Sequence, residues 1–321
     1  MEVEEIKNFS FSKPFIIYRI ESEKAIIYAR KISKYLLSNF PKITEIYIEK
    51  PNEINSDNVF ETEVEKTKYK NNFIEFEAKT EKSDLCIVIG GDGTCLWANN
   101  CYKYRKNKPP FITFHLGNLG YLAIYNIENY QDTLNELISN NFIFEKRNLI
   151  SATLIDKNNQ IKESYTALNE VLIQRGSDLK MISLEIYIDK VHFTEVSCDG
   201  IIFATPTGSS AYSLSARGPL LHYKVEGLII TAICPFSLSF RPIVLPKNAV
   251  LEICIGRHHC EPCVSVDGEE GNKLLDGEKL KIVMGDEKLM FVILNKFAKD
   301  RNHLWKDKII KSLGWNNSFK I

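Results

Sequence analysis

Apolar positions follow two regimes along the chain. In the first regime, short apolar runs alternate with stretches of helical periodicity. Pro14-Phe-Ile-Ile-Tyr-Arg19 reads as a short buried strand. Ser22 to Asn39 sets Ile26, Ala29, Ile32 and Leu36 on one helical face, with Ser22 placed to cap it. Ile43 to Ile48 alternates as a second strand. Residues 51–82 are rich in Lys, Glu and Asn and poor in apolar runs, so they read as a long loop or insertion. Asp84-Leu-Cys-Ile-Val-Ile89 is a continuous apolar strand, with a helix expected to run from the following loop to near Arg105. Phe111 to His115 forms another strand, and a helix from near Asn129 to Asn140 closes this half. Strands alternating with helices imply a parallel sheet with helices on its faces.

After Phe144 the long helical patterns vanish and period-two alternation takes over. Leu184, Ile186 and Ile188 point one way, while Glu185, Tyr187 and Asp189 point the other. Asp156 to Gln160, Pro246-Lys-Asn248, Asp267-Gly268 and Asp276-Gly277 supply turns. The expected organisation is therefore an α/β domain over residues 1–145, joined by the C-terminal segment 296–321, and a β-rich domain over 146–295. A last helical pattern, Asp300 to Leu313, is expected to pack back on the first domain.

Bulk composition narrows the class without naming a function. The chain has 321 residues, 44% apolar and 26% charged, ordinary values for a globular protein with a real core. Lys plus Arg and Asp plus Glu are both 41, and this neutral balance argues against a nucleic-acid partner, which needs a basic excess. No apolar run approaches the roughly 18–20 residues that cross a bilayer, so no membrane partner is expected. The first residues, Met1-Glu-Val-Glu-Glu-Ile, are acidic and lack the apolar core of a signal peptide, which makes a cytoplasmic protein the default expectation. Eight irregularly spaced cysteines then read as reduced thiols, most of them core residues.

The most informative stretch is Ile87-Val-Ile-Gly-Gly-Asp-Gly-Thr94. An apolar strand delivers glycines to the end of a parallel sheet, where they let backbone approach a ligand closely. The helix that follows offers unpaired N–H groups and a positive dipole end, which suits a phosphate. Asp92 is then anomalous, because a carboxylate beside phosphates is repulsive. It makes sense as a base for a hydroxyl that attacks phosphorus, or as a group that helps hold Mg²⁺. A tight turn with a capping Asp is the plainer alternative. The loop is neither a Walker A loop, which ends in Gly-Lys-Ser/Thr, nor Gly-x-Gly-x-x-Gly.

Gly90-Gly91-Asp92-Gly93-Thr94 resembles a motif shared by NAD kinases, diacylglycerol and sphingosine kinases and, in a variant form, phosphofructokinases. Three further motifs point to the first of these. They are Asn169-Glu170, the long run from Asp199-Gly-Ile-Ile-Phe-Ala-Thr-Pro-Thr-Gly-Ser-Ser210 through Ala211-Tyr-Ser-Leu-Ser-Ala-Arg-Gly-Pro219, and Ile233-Cys-Pro-Phe-Ser-Leu-Ser-Phe-Arg-Pro-Ile-Val-Leu-Pro246. They occur in family order and cover residues 84 to 295, and the last resembles the eukaryotic branch. The resemblance implies transfer of the γ-phosphoryl of ATP to the 2′-hydroxyl on the adenosine ribose of NAD, giving NADP. It implies Asp92 as base and Mg²⁺ carried with ATP. Gly91, Gly93 and Thr94 would hold phosphates, Tyr121 would line a base pocket, and Asn169 and Glu170 would hold NAD. Thr207, Gly208, Ser210, Ala211, Tyr212 and Ser215 would line the nucleotide sites. Asp199 would approach the nicotinamide end, in the family often from a neighbouring subunit, so a homodimer or homotetramer is expected. The motifs together place the substrates between the two domains. Tyr121 stands where the family usually has Phe, and Phe236 where eukaryotic members commonly have His, which puts in doubt any contact made by that imidazole.

Other constellations carry less. Cys254, His258, His259, Cys260 and Cys263 have zinc-like spacing in part, but Glu261-Pro262 reads as a hairpin turn with neighbours on opposite faces and no second Cys-x-x-Cys follows. Gly-Ser-Ser-Ala is not a nucleophile elbow. His115, His192, His222 and His303 are isolated in sequence, and Lys103, Arg105, Lys106 and Lys108 read as a solvated helix end. A lipid or sugar kinase sharing the glycine loop and a non-catalytic NAD(P)-sensing protein stand as the alternatives, separable by a substrate panel and by turnover.

Overall fold

The computed structural model describes residues 9–78, 82–176, 180–257, 261–298, 305–306 and 309–310. The chain divides into two compact units, residues 1–146 with 289–321, and residues 147–288.

The first unit runs β1 (Pro14–Tyr18), α1 (Glu23–Asn39), β2 (Ile46–Ile48), α2 (Ser56–Val59), α3 (Glu63–Tyr69), β3 (Phe73–Glu75), β4 (Leu85–Ile89), α4 (Asp92–Cys101), β5 (Phe111–His115), β6 (Tyr125–Asn126) and α5 (Tyr130–Ile138). Its strands lie in the order β5-β4-β1-β2-β3, and every pairing along that path is parallel. All positions of β1, β4 and β5 are buried, the burial expected of a parallel sheet covered on both faces. On one face Ile16, Ile87 and Phe114 pack with Ile32 and Leu36 of α1 and Leu134 of α5. On the other, Phe15 stacks on Phe76 at 4.0 Å, with the Tyr102 ring edge-on to both. Ser22 caps α1 by accepting the Ala25 N–H. Asp84 accepts the Ser12 and Lys13 amides at 2.7 and 2.9 Å, tying the start of β4 to that of β1.

Two expectations fail here. The described part of residues 51–82 is not a loop: it holds α2, α3, a 3₁₀ turn and β3, an edge strand paired with β2. Ile54, Val59 and Phe60 are buried in the core of this unit. These few scattered apolar residues carry the packing, and Asn55 nucleates α2 with a capping box. Helix α4 ends at Cys101 rather than near Arg105, because Tyr102 leaves helical geometry at the cap and its ring is buried against Phe15 and Phe76.

The second unit takes up the long strand β7 (Phe142–Ile155) and continues through β8 (Ile161–Ala167), β9 (Glu170–Gln174), β10 (Ile182–Ile188), β11 (Val191–Cys198), β12 (Gly200–Ala204), α6 (Tyr212–Ser215), β13 (Gly227–Ile233), β14 (Ile243–Pro246), β15 (Val250–Ile255), β16 (Cys263–Val266), β17 (Glu269–Lys273) and β18 (Lys279–Leu294). One antiparallel sheet orders its strands β11-β10-β15-β18, and a second orders them β14-β13-β12-β9-β16-β17. Leu184, Ile186, Leu251 and Ile253 of the first face Val171, Ile173, Ile201, Phe203 and Ile230 of the second, and their interleaved side chains form the core. The α/β unit with a mostly parallel sheet and the antiparallel β unit match the fold class read from the sequence.

The end of β18 from Leu289 onward belongs to the first unit. There Phe291 pairs with Phe111, and the Tyr125 hydroxyl donates to the Val292 carbonyl and accepts the Leu294 N–H. Helix α7 (Asn295–Ala298) follows. Of the helix expected over 300–313, Trp305, Lys306, Ile309 and Ile310 are described and helical, with Ile309 buried; the rest lies outside the described residues. The expected hairpin around Glu261-Pro262 is not one, because Cys254 lies on β15 and Cys263 on β16, in different sheets. His258, His259 and Cys260 lie outside the described residues.

Candidate active site

In the first unit the strand order reverses direction between β1 and β4, the switch point where open α/β sheets leave a crevice at their carboxyl ends. The glycine loop leaves β4 at this point. The Gly90 N–H bonds the Phe114 carbonyl at 2.9 Å, and a Cβ on Gly90 would collide with the Thr94 hydroxyl. Gly91 precedes the first turn of α4, and a Cβ on Gly91 or Gly93 would meet nothing within 4 Å. The loop therefore presents open backbone at the start of a helix, where N–H groups have no intrahelical partner.

Asp92 does not point away from its own unit. Its Oδ2 accepts the Tyr121 N–H at 2.8 Å, and its Oδ1 accepts those of Leu122 and Ala123 at 2.8 and 3.1 Å. The turn is closed by the Gly120 N–H to the Ala123 carbonyl at 3.1 Å, and a Cβ on Gly120 would strike Asp92. A carboxylate offers about four acceptor directions, and three of these are filled. Asp92 can take a hydroxyl proton with the remaining direction or by releasing one amide. Tyr121 thus meets Asp92 through its backbone N–H, a contact its aromatic ring did not announce.

In the second unit the chain turns at Leu168-Asn169 and enters β9 at Glu170. The Asn169 carbonyl accepts the Thr205 N–H at 2.8 Å, and the Thr205 hydroxyl donates to the Leu168 carbonyl at 2.6 Å and accepts the Gly208 N–H at 3.0 Å. A Cβ on Gly208 would run into the Asn169 backbone, so only glycine fits this approach. The Tyr212 N–H bonds the Glu170 carboxyl, whose Oε2 is buried with no protein hydrogen-bond partner among the described residues. Burial first, and the charge of Asp267 second, push the Glu170 carboxyl up to about 8. Asn169, Glu170, Thr207, Gly208, Ser210, Ala211 and Tyr212 are thereby gathered in one place. The Tyr212 ring and Ser215 are exposed there, and the Ser210 hydroxyl donates to the Thr207 carbonyl at 3.2 Å.

Asp199 is not gathered with them. It precedes β12, whose far end, Ala204, pairs with Glu170. Five strand residues separate Asp199 from that end, on the order of 15 Å. Its carboxylate pairs with Arg175 at 3.3 Å. Sequence reasoning missed three groups around Asn169 and Thr207. Asp267 bonds the amides of Leu168, Asn169 and Glu170, and Thr205 holds the carbonyls. Arg147 reaches the Thr207 hydroxyl at 3.4 Å while lying 3.8 Å over the Tyr223 ring. The Asp267-Gly268 turn was legible, but nothing local reports where its carboxylate points.

Among the described residues no group of three or more His, Cys, Asp or Glu side chains is placed to hold a metal ion. A hard cation that arrives on polyphosphate oxygens needs no such cage. No described helix is long and apolar enough to cross a membrane.

Comparison with known proteins covers both units. Residues 15–142 match the model described as ATP-NAD kinase N-terminal domain, and residues 168–294 that described as ATP-NAD kinase C-terminal domain. An NAD kinase of Magnetococcus marinus is 32% identical over 235 residues, 73% of this chain and 75% of that protein. The mitochondrial NADH kinase pos5 of Schizosaccharomyces pombe is 33% identical over 241 residues, 74% of this chain and 61% of that protein. The crystal structure of yeast NADH kinase complexed with NADH superposes with a TM-score of 0.87 at 26% identity, over 98% of this chain and 90% of that one. The chain spans between 24% and 61% of the length of four eukaryotic curated relatives it matches.

Proposed function

The chain belongs to the NAD kinase family, and from that membership we propose that it transfers the γ-phosphoryl of ATP to the 2′-hydroxyl on the adenosine ribose of NAD, yielding NADP. The observation that carries this reading is the seating of Asp92: a carboxylate held by three amides at the head of a glycine loop, at the switch point of a parallel sheet. In this role Asp92 accepts the hydroxyl proton as the oxygen attacks phosphorus. Its amide bonds keep the carboxylate still, so little reorganisation is needed at that moment. The open backbone at Gly91 and Gly93 suits phosphate oxygens, and Thr94, whose N–H donates to the Gly91 carbonyl at 3.0 Å, is proposed to join them through its side chain. Mg²⁺, carried in on ATP, would offset charge on the transferring group. No side chain of this protein is assigned to the ion.

Asn169 and Glu170 are proposed to hold the dinucleotide. An amide that donates and accepts, beside a carboxyl with an unfilled oxygen, suits ribose hydroxyls. Tyr121, Thr207, Gly208, Ser210, Ala211, Tyr212 and Ser215 are proposed as lining residues of the nucleotide subsites. Asp199 stands apart from Glu170, just before the start of β12 rather than at the Ala204 end, which supports the reading that it serves a neighbouring copy. Exposed apolar side chains fit that reading: Phe193 and Phe236 line a groove of about 540 Å³ with Phe240 and Ile243. Phe236 is 75% exposed and Leu238 92%. We accordingly propose a homodimer or homotetramer. A cytoplasmic location is retained as a proposal, since related kinases are named as mitochondrial and chloroplastic too.

Purified protein incubated with NAD, ATP and Mg²⁺ is expected to form NADP. Parallel arms with NADH, and with polyphosphate as donor, identify the preferred pair. No phosphorylated dinucleotide in any arm would overturn the proposal. A second reading, NADH as the preferred acceptor, draws on the resemblance to two proteins named NADH kinase, and the same arms decide it.

A further inference from the structure

The turn Asp267-Gly268 joins β16 to β17 with positive φ at both residues, 50° and 86°, the pair of left-handed positions a two-residue hairpin requires. Turn chemistry accounts for an Asp-Gly sequence. It does not account for the direction of the Asp267 carboxylate. Oδ2 accepts the Leu168 N–H at 2.7 Å, and Oδ1 accepts the N–H groups of Asn169 and Glu170 at 2.7 and 3.1 Å. The N–H of Asp267 in turn donates to the Glu170 carbonyl at 3.0 Å. One side chain therefore consumes three consecutive amides from a segment about a hundred residues away in sequence. Thr205 holds the carbonyls of Leu168 and Asn169 from the other side.

This arrangement has a cost that a purely structural turn would avoid. A second carboxyl, that of Glu170, lies within reach of the Asp267 charge in a buried setting. Asn would serve a left-handed turn position without that repulsion. The other elements packed on Glu170 bring it no charge among the described residues. Strand β12 contributes Ala204, β16 contributes Val266 beside its neighbour Val171, and α6 contributes the Tyr212 amide.

We propose that Asp267 is a positioning residue of the dinucleotide subsite, aiming Asn169 and Glu170 through its three amide bonds; this rests on the kinase reading above. The charge of Asp267 has a second consequence. With burial, it keeps Glu170 protonated until pH reaches about 8. Ribose hydroxyls that donate to Glu170 favour its ionised form, so KM for NAD falls as pH rises through that region.

The test compares the parent chain with Asp267→Asn and Asp267→Glu, each shown by thermal melting to be folded. Initial rates with NAD, ATP and Mg²⁺ are taken from pH 6 to 9.5. Asp267→Asn removes the charge and keeps one acceptor oxygen. It is expected to move the midpoint of KM against pH down by about a unit or more. At pH 9 it should raise KM for NAD about tenfold, with kcat within about threefold of the parent. Asp267→Glu keeps a charge but misplaces the oxygens, so KM rises while the midpoint stays near the parent value. A folded Asp267→Asn with parental KM and midpoint overturns the inference. Should Asp267→Asn fail to fold, a parental KM in Asp267→Glu overturns it instead. A parent chain that forms no NADP sinks the kinase reading itself, an outcome distinguishable from both.

Discussion

At the scale of single residues, Asp92 and Glu170 are two carboxyls in contrasting surroundings. Asp92 is an acceptor for three amides, while Glu170 receives one and is half-buried beside a second acid, with its Oε2 out of solvent. Asp92→Asn keeps an oxygen for the amides but cannot take a proton. It is expected to lower kcat by about 10²–10⁴-fold while NAD binding, measured by calorimetry, is retained. Unchanged turnover would remove the base from the mechanism. Glu170 has a consequence for stability as well. Its carboxyl is raised to about 8 in the folded chain, so between the unfolded value near 4.5 and that point the native state binds the extra proton. Stability is full below the lower value, declines as pH rises through this window, and is flat above it. The loss is on the order of a few kcal/mol. Glu170→Gln is expected to remove the decline, as read from urea midpoints at pH 5 and 8.5; the same decline in this variant would assign it elsewhere.

At the scale of elements, the Gly120–Ala123 turn matters as much as the glycine loop, because it is the turn that seats Asp92. Gly120→Ala drives a methyl against the Asp92 carboxylate. It should reproduce most of the kcat loss of Asp92→Asn while costing about 1–3 kcal/mol of stability. Normal kcat in a folded Gly120→Ala protein would show that the seating is dispensable. The local pattern made α1 and the buried strands of the first unit legible, because periodicity and continuous apolar runs are properties of neighbouring residues. It failed over residues 51–82, where a four-residue helix is set by the Asn55 cap and three isolated apolar side chains supply the packing. Such short elements carry too few periods to stand out from a polar background.

At the scale of the whole molecule, the second unit leaves a cluster of exposed aromatic and aliphatic side chains around a groove, and Asp199, just before β12, stands remote from Glu170. Both features fit self-association. The double variant Phe236→Ser, Leu238→Ser is expected to shift sedimentation of the protein toward the monomer and to weaken NAD binding. A parental sedimentation profile would place the interface elsewhere. The Phe236 ring is exposed to solvent in the isolated chain, so the departure from the His common among eukaryotic members falls on this surface.

The chain's own order of residues determined the strand, the glycine loop and the helix that starts at Asp92. It also determined the alternation of the second unit and the motifs that mark the family, since each is written in contiguous residues. The tertiary structure alone decided what those groups touch. Asp92 meets amides 29 to 31 positions along the chain, and Asp267 meets amides 97 to 99 positions away. Hydrogen bonds over such separations leave no periodic trace, because the partners are backbone groups that every residue possesses. Only folding shows which of them a given carboxylate will find.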